Sequence, residues 1–176
     1  NSNGNYSGQV RIYEYNGADW LQIGQNINGQ SANLQCGTSV AINELGNRVI
    51  VGSPYDFGKV KIYDLIGSLW VQVANDINGK FSGEEMGARV TTNLSGNVIA
   101  VGNSLGLPSQ LEKVRIYKYS SGLWAQYGVD IECKQSTDHF GTSIAMNGIG
   151  NRIVVGAPGH NSNGNISGQV QNFGAP

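Results

Sequence analysis

The sequence predicts an all-β protein built of tandem four-stranded antiparallel blades of the β-propeller type. Three observations carry this. A block of about fifty residues recurs three times, each block holds strand-like runs of Val, Ile, Tyr and Trp, and the chain's 26 glycines and 20 asparagines gather between those runs. Gly and Asn take up positive φ more readily than other residues, so the composition points to many tight turns. A four-strand unit with a period of roughly forty to fifty residues is that of a propeller blade.

Within each unit the first strand reads Gln9-Val10-Arg11-Ile12-Tyr13, Lys59-Val60-Lys61-Ile62-Tyr63 or Lys113-Val114-Arg115-Ile116-Tyr117. Alternation puts Val10, Ile12 and Glu14 on one face and Arg11, Tyr13 and Tyr15 on the other. The second strand (20–24 in the first unit) opens with Trp20, Trp70 or Trp124, spaced by 50 and 54 residues, each followed by Gln22, Gln72 or Gln126. Ile27, Ile77 and Ile131 come next, then Gly37, Gly87 and Gly141. The third strand falls near 38–42 and the fourth near 48–51. Between them stands a five-residue turn: Asn43-Glu44-Leu45-Gly46-Asn47, Asn93-Leu94-Ser95-Gly96-Asn97 or Asn147-Gly148-Ile149-Gly150-Asn151. Asn-Gly and Gly-Asn steps of this kind are hairpin chemistry. No stretch combines a helical period with caps.

The units span 1–58, 59–112 and 113–168, and 169–176 begins a fourth. Residues 1–10, Asn-Ser-Asn-Gly-Asn-Tyr-Ser-Gly-Gln-Val, nearly duplicate 161–170, Asn-Ser-Asn-Gly-Asn-Ile-Ser-Gly-Gln-Val. Closed propellers hold about 4–8 blades. Three blades leave two open faces, so the expected partners are other protein chains: further copies of this one, or the missing blades of a longer chain.

These repeats resemble the FG-GAP family, the blades of integrin alpha-chain propellers and of many secreted microbial proteins. Phe140-Gly141 matches "FG" and Gly156-Ala157-Pro158 matches "GAP". The first unit has Cys36-Gly37 and Gly52-Ser53-Pro54 at these places. The second has Met86-Gly87 and Gly102-Asn103-Ser104. Phe173-Gly174-Ala175-Pro176 looks like the motif but is out of register. The resemblance implies an extracellular propeller for adhesion or ligand binding, without chemistry of its own. Integrin-type blades carry acidic calcium loops after "GAP". Here that loop offers Asn161, Asn163 and Asn165, with Ile166 at the glycine position. Calcium leans on carboxylates, so these are weak metal candidates, and neither calcium nor another cofactor is expected.

The net charge is −1 with 13% charged residues, against about 25% usually. Such a chain has no field for nucleic acid or an anionic membrane, and no run reaches the ~18 apolar residues of a spanning helix. Membrane insertion and nucleic-acid binding are not expected. Asn1 does not open a secretory leader, which says nothing of secretion because leaders are removed.

The tryptophans read as core or inter-blade packing, with a sugar-stacking platform as the alternative. Arg11, Lys61 and Arg115 share one position and read as stems laid on the neighbouring aromatics, with a ring for an anionic ligand as the alternative. Asp138 and His139 are adjacent on a strand and so face apart, which makes a poor dyad. No Ser-His-Asp or Cys-His set recurs. Cys36 and Cys133 lie in different units and are not expected to pair. Three N-x-S sequons begin at Asn5, Asn93 and Asn165. Asn5 and Asn165 share an exposed loop position and are the better glycan sites, whereas Asn93 is the repeat's turn residue.

The expected function is therefore that of an extracellular or cell-surface, non-catalytic module for adhesion or structural assembly through protein–protein contacts. A carbohydrate-binding, lectin-like module is the alternative, and part of a multi-blade secreted hydrolase is the second.

Overall fold

The computed structural model describes residues 3–103, 111–133, 138–161 and 168–174. The weak calcium candidates Asn163 and Asn165, the second also a glycan candidate, lie outside them, as do Ala175 and Pro176.

Seventeen strands and no helix form among the described residues. They are β1 (Gln9–Val10), β2 (Tyr13–Tyr15), β3 (Trp20–Gln22), β4 (Ile27–Asn28), β5 (Ser39–Ile42), β6 (Arg48–Ser53), β7 (Lys59–Ile66), β8 (Leu69–Gln72) and β9 (Ile77–Asn78). Then follow β10 (Met86–Thr92), β11 (Val98–Asn103), β12 (Lys113–Ser120), β13 (Leu123–Gln126), β14 (Ile131–Glu132), β15 (Ser143–Met146), β16 (Arg152–Ala157) and β17 (Gln169–Gly174).

All pairings between these strands are antiparallel, and the sheets are out of phase with the repeat as framed from the sequence. Strands β5 and β6, from the second half of the first unit, pair onward with β7 and β8 of the second unit, and β9 pairs with β7. Likewise β10 and β11 continue into β12 and β13, with β14 on β12. We call these sheets II and III. Sheet IV is β15-β16-β17, and sheet I comprises the pairs β1-β4 and β2-β3. A periodic sequence looks the same from any starting point. Only hydrogen bonding shows that sheets II and III each begin at the third strand of one unit and end with the second strand of the next.

The core is a set of layers between consecutive sheets. Between I and II lie Val10, Ile12, Ile27, Cys36, Val49, Val51 and Trp70. Between II and III lie Ile50, Val60, Ile62, Ile77, Met86, Ile99, Val101, Tyr117 and Trp124. Between III and IV lie Ala100, Val114, Cys133, Phe140, Ile153, Val155 and Ala157. Strand β6 shows why the pattern is nearly continuous in apolar residues. Val49 and Val51 point to sheet I and Ile50 points to sheet III, because alternate side chains leave opposite faces. Each sheet leans on its neighbours alone, the quasi-one-dimensional arrangement of repeat proteins. The two cysteines sit in different layers, both as free buried thiols. No described helix is long and apolar enough to cross a membrane.

Candidate functional site

The recurring tryptophans build a socket at every sheet-to-sheet junction. Trp70 of sheet II is 3% exposed and sits against the loop that follows β3 in sheet I. Its indole Nε1 donates to the Ile23 carbonyl at 3.0 Å, its amide donates to Gln25 Oε1 at 2.9 Å, and Gln25 Nε2 donates back to the Trp70 carbonyl at 2.8 Å. Gly24 makes this possible. Its φ is +69°, and a Cβ there would lie 2.5 Å from Trp70 Cδ1. Trp124 of sheet III, 5% exposed, repeats the arrangement on Val73, Ala74 and Asn75 of sheet II, with a longer amide contact of 3.4 Å to Asn75 Oδ1. Trp20 belongs to the same series but is 67% exposed, tilted against Tyr15 at 5.5 Å between ring centroids. The packing reading thus holds for Trp70 and Trp124 and is corrected for Trp20. A tryptophan of this series needs a loop from the preceding sheet, and none covers Trp20 among the described residues.

The glutamine of Trp-x-Gln braces the next socket loop. Gln22, Gln72 and Gln126 each donate through Nε2 to residue +4: Asn26 Oδ1 at 2.9 Å, Asp76 Oδ1 at 2.7 Å and Asp130 Oδ1 at 2.7 Å. Those acids answer the basic series. Lys61 Nζ is 3.3 Å from Asp76 and Arg115 Nε is 3.1 Å from Asp130. Arg115 also places Nη2 2.5 Å from the fully buried Glu84 and Nη1 3.5 Å from Met86 Sδ. Burial works against the Arg115 charge, but the two carboxylates outweigh it and hold the guanidinium ionised. Arg115 and Lys61 are therefore ion-paired inside the repeat rather than ringing an anion, and carboxylates, not aromatic faces, receive them. Arg11, exposed, donates to Gln9.

The third repeat carries two imidazole–carboxylate contacts. Buried Asp138 has Oδ1 3.1 Å from His160 Nδ1, while His139 turns outward with Nδ1 3.8 Å from Glu112 Oε1. Asp138 is buried and His139 exposed, but neither lies on a strand: both stand in the turn before β15, with His139 at φ +54°, so the turn and not strand alternation sends them apart. Cys36 N and Met86 N donate to the Ser7 and Phe57 carbonyls at 3.1 and 3.2 Å, but Phe140 N donates to the Glu112 carboxylate instead. Burial pushes that carboxyl above its ordinary range, although the Phe140 amide and His139 pull it down. A small cavity of about 180 Å³ touches Glu112, His139, Phe140 and Arg89.

The remaining predicted positions are structural or exposed. Gly37, Gly87 and Gly141 have φ between +84° and +93°, which L side chains avoid. Asn93 is buried, with Oδ1 accepting from the Asn97 and Val98 amides at 3.0 Å and Nδ2 donating to Asn97 Oδ1 at 2.9 Å, so its sequon is consumed by the turn. Asn5 is exposed, as is Asn161. Among the described residues no group of three or more His, Cys, Asp or Glu is placed to hold a metal ion.

Residues 134–173 match the family model described as FG-GAP repeat. That stretch is similar to an FG-GAP repeat. The match takes in both Phe140-Gly141 and Gly156-Ala157-Pro158, and with the stacked sheets it supports a β-propeller-like all-β module. No curated protein matches the chain by sequence. Among solved structures it is similar to a "putative 6-phosphogluconolactonase" from Bacteroides uniformis, with 11% identity and a TM-score of 0.64 over 96% of this chain. The chain spans about half the length of that protein, 49% of which is covered. At such identity the likeness concerns the fold alone.

In the matched stretch, Phe140 packs edge-on against Phe173 at 6.3 Å, so the out-of-register Phe173 is a core residue of β17. Sequence reasoning missed Asp76, Asp130 and Glu84 as partners of the basic series. The first two carried a legible signal, since both lie four residues after the Trp-x-Gln glutamine. The pairing of His160 with Asp138 joins loops 22 residues apart and has no local signature.

Proposed function

We propose that this chain is a non-catalytic, β-propeller-type module of an extracellular or cell-surface protein, serving adhesion or structural assembly through protein–protein contacts. The observation that supports this best is the exposed apolar hairpin of sheet I. Tyr13, Tyr15, Trp20 and Leu21 stand in solvent on strands whose counterparts in sheets II and III are built into neighbours. Contiguous exposed aromatics of this kind mark interaction surfaces. The buried charged groups, by contrast, are engaged in holding loops: Glu112 on the Phe140 amide, Glu84 on the Lys80 amide and on Arg115. Two assays test the reading. Antibody against the chain should label intact source cells or their medium, and beads coated with it should adhere to chain-coated or cell surfaces. Purely cytosolic labelling with inert beads would remove it.

One observation favours a carbohydrate-binding reading as second. Tyr15 and Trp20 form an exposed aromatic pair, the kind of face on which sugars stack. A glycan array decides it: binding abolished by Trp20→Ala supports a lectin, and an array without hits dismisses it.

A further inference from the structure

Consecutive sheets are zipped by a backbone contact that recurs at two junctions and is broken at the third. Gly8 forms a parallel bridge with Cys36 between sheets I and II, and Gly58 forms one with Met86 between sheets II and III. A Cβ on either glycine would strike the backbone of its partner, and their φ values of +79° and +74° are ones that L side chains avoid. At the third junction the same repeat position is Glu112, since Glu112-Lys113-Val114 stands where the second unit has Gly58-Lys59-Val60. Glu112 stays out of the positive-φ region and forms no such bridge with Phe140. Its carboxylate, in place of a backbone carbonyl, receives the Phe140 amide.

This change holds the third junction open. A Cβ on Gly52 would fall against the Gly87 carbonyl oxygen, whereas one on the equivalent Gly102 would stop 3.4 Å from the Gly141 oxygen. A Cβ on Gly87 would lie 2.8 Å from the Lys59 oxygen, whereas one on Gly141 would meet no backbone of sheet III within 4 Å. The side chains that span the junctions lengthen to match. Ser39 Oγ reaches from sheet II to the Gly87 carbonyl at 2.7 Å, and its counterpart in sheet III is Arg89, whose Nε donates to the Thr142 carbonyl at 2.8 Å. The space left over is the cavity of about 180 Å³, bordered by Arg89, Asn103, Glu112, His139 and Thr142. It has room for on the order of ten waters. Every residue that borders it belongs to sheet III or to the turn entering sheet IV.

Glu112 is 2% exposed, and only one of its two oxygens is engaged. Oε2 receives the Phe140 amide, while Oε1 makes no hydrogen bond among the described residues and lies 3.8 Å from His139 Nδ1. A buried carboxylate calls for a positive charge. Arg89 does not supply it, having spent Nε and Nη1 on the Thr142 and Ala88 carbonyls. Buried Asp138, itself 3.1 Å from His160, adds a second negative group that pushes the Glu112 carboxyl further up. Thr142 Oγ1 donates to the His139 carbonyl at 2.6 Å and keeps its lone pairs as acceptors. A divalent metal finds no set of three His, Cys, Asp or Glu among the described residues, and a neutral hydroxyl brings donors without charge. We propose that this cavity binds a primary ammonium group, the tip of a lysine side chain or a free alkylamine, held by Glu112 Oε1 with Thr142 Oγ1 as a second acceptor. A compact charge with three N–H donors answers both needs. The site is separate from the sheet I hairpin and does not rest on the assembly reading.

The test is a titration of the whole chain followed by proton NMR. The chain has two histidines, so the ring signals of His139 and His160 can be read separately. n-Butylammonium chloride should shift the His139 signal saturably in the millimolar range, against sodium chloride at equal ionic strength. Tetramethylammonium, which has the charge but no N–H donor, should bind at least about tenfold more weakly. Glu112→Gln keeps an oxygen for the Phe140 amide and should weaken n-butylammonium binding by at least about tenfold. Glu112→Gly restores the residue of the other two junctions and should abolish binding by closing the cavity. Far-UV circular dichroism checks that both variants keep the fold. Nα-acetyl-lysine methylamide separates the two sources. Binding as tight as that of n-butylammonium assigns the site to a lysine of a partner protein, and its exclusion while n-butylammonium binds assigns it to a free amine. A His139 signal that n-butylammonium does not shift saturably, or binding unchanged in Glu112→Gln, overturns the proposal.

Discussion

Trp70 and Ile23 are joined by a 3.0 Å hydrogen bond from indole to carbonyl across 47 residues of sequence. This bond ties sheet II to the loop of sheet I, and its counterpart is absent at Trp124, whose buried Nε1 has no hydrogen-bond partner in the structure. The same residue type at the same repeat position thus does unequal work, which the following substitutions measure.

Trp70→Ala removes a buried indole and opens the layer between sheets I and II. It should cost about 3–5 kcal/mol in urea unfolding. Trp20→Ala, measured at dilute concentration, should change stability by no more than about 0.5 kcal/mol, the range of exposed positions. Equal losses would mean that Trp20 is packed in solution.

Ala74 explains the orphaned indole of Trp124. At the equivalent Gly24, a Cβ would lie 2.5 Å from Trp70 Cδ1 and 2.8 Å from its Nε1. A methyl at position 74 therefore cannot coexist with a tryptophan in the Trp70 pose. Ala74 also bears the strain of φ +61°. Ala74→Gly should relieve that strain and let Trp124 reach the Val73 carbonyl, stabilising the chain by about 1–2 kcal/mol. A destabilised variant would show that the methyl's contacts outweigh both gains.

These particulars mark what a sequence of this kind discloses. The strand–turn alternation, the turn asparagines and the tryptophan period were legible because each is a local pattern repeated in register. Asn43, Asn93 and Asn147 cap their turns alike, and backbone bonds from Glu44 to Leu94 and from Leu94 to Gly148 chain those turns across the sheets. The phase of the sheets was not legible, since pairing between β6 and β7 crosses the boundary between units. Nor was the exposure of Trp20, which depends on the loop of a neighbouring sheet. Arg115 shows the same limit: its position repeats Lys61, but its second partner Glu84 stands where the first unit has Leu34.

That pair yields a further prediction. Arg115→Met leaves Glu84 buried without its cation and should destabilise the chain by about 3–5 kcal/mol. Adding Glu84→Gln, which keeps an oxygen for the Lys80 amide, should recover a coupling of about 0.5–3 kcal/mol. Strict additivity in the double-mutant cycle would mean that the two side chains do not interact.

Glu112 and Asp130 should tilt the pH dependence in opposite directions. Burial raises the Glu112 carboxyl above its ordinary value, and Asp138 adds to the rise. The folded state then holds that proton more tightly than the unfolded chain. Its stabilising effect is complete below the ordinary glutamate pKa of about 4.3 and is lost as pH rises through the raised value. For Asp130, burial works upward, but the hydrogen bonds from Gln126 and Arg115 prevail and the carboxyl is lowered. Its contribution is present above the ordinary aspartate pKa of about 3.9 and is lost as pH falls through the lowered value. Glu112→Gln keeps an acceptor for the Phe140 amide, so its urea midpoint should gain on the wild type from pH 4 to pH 7. Asp130→Asn should lose most near neutrality and converge with the wild type as the medium becomes acid. A Glu112→Gln difference that stays flat across that range would place the Glu112 carboxyl in water rather than against Phe140.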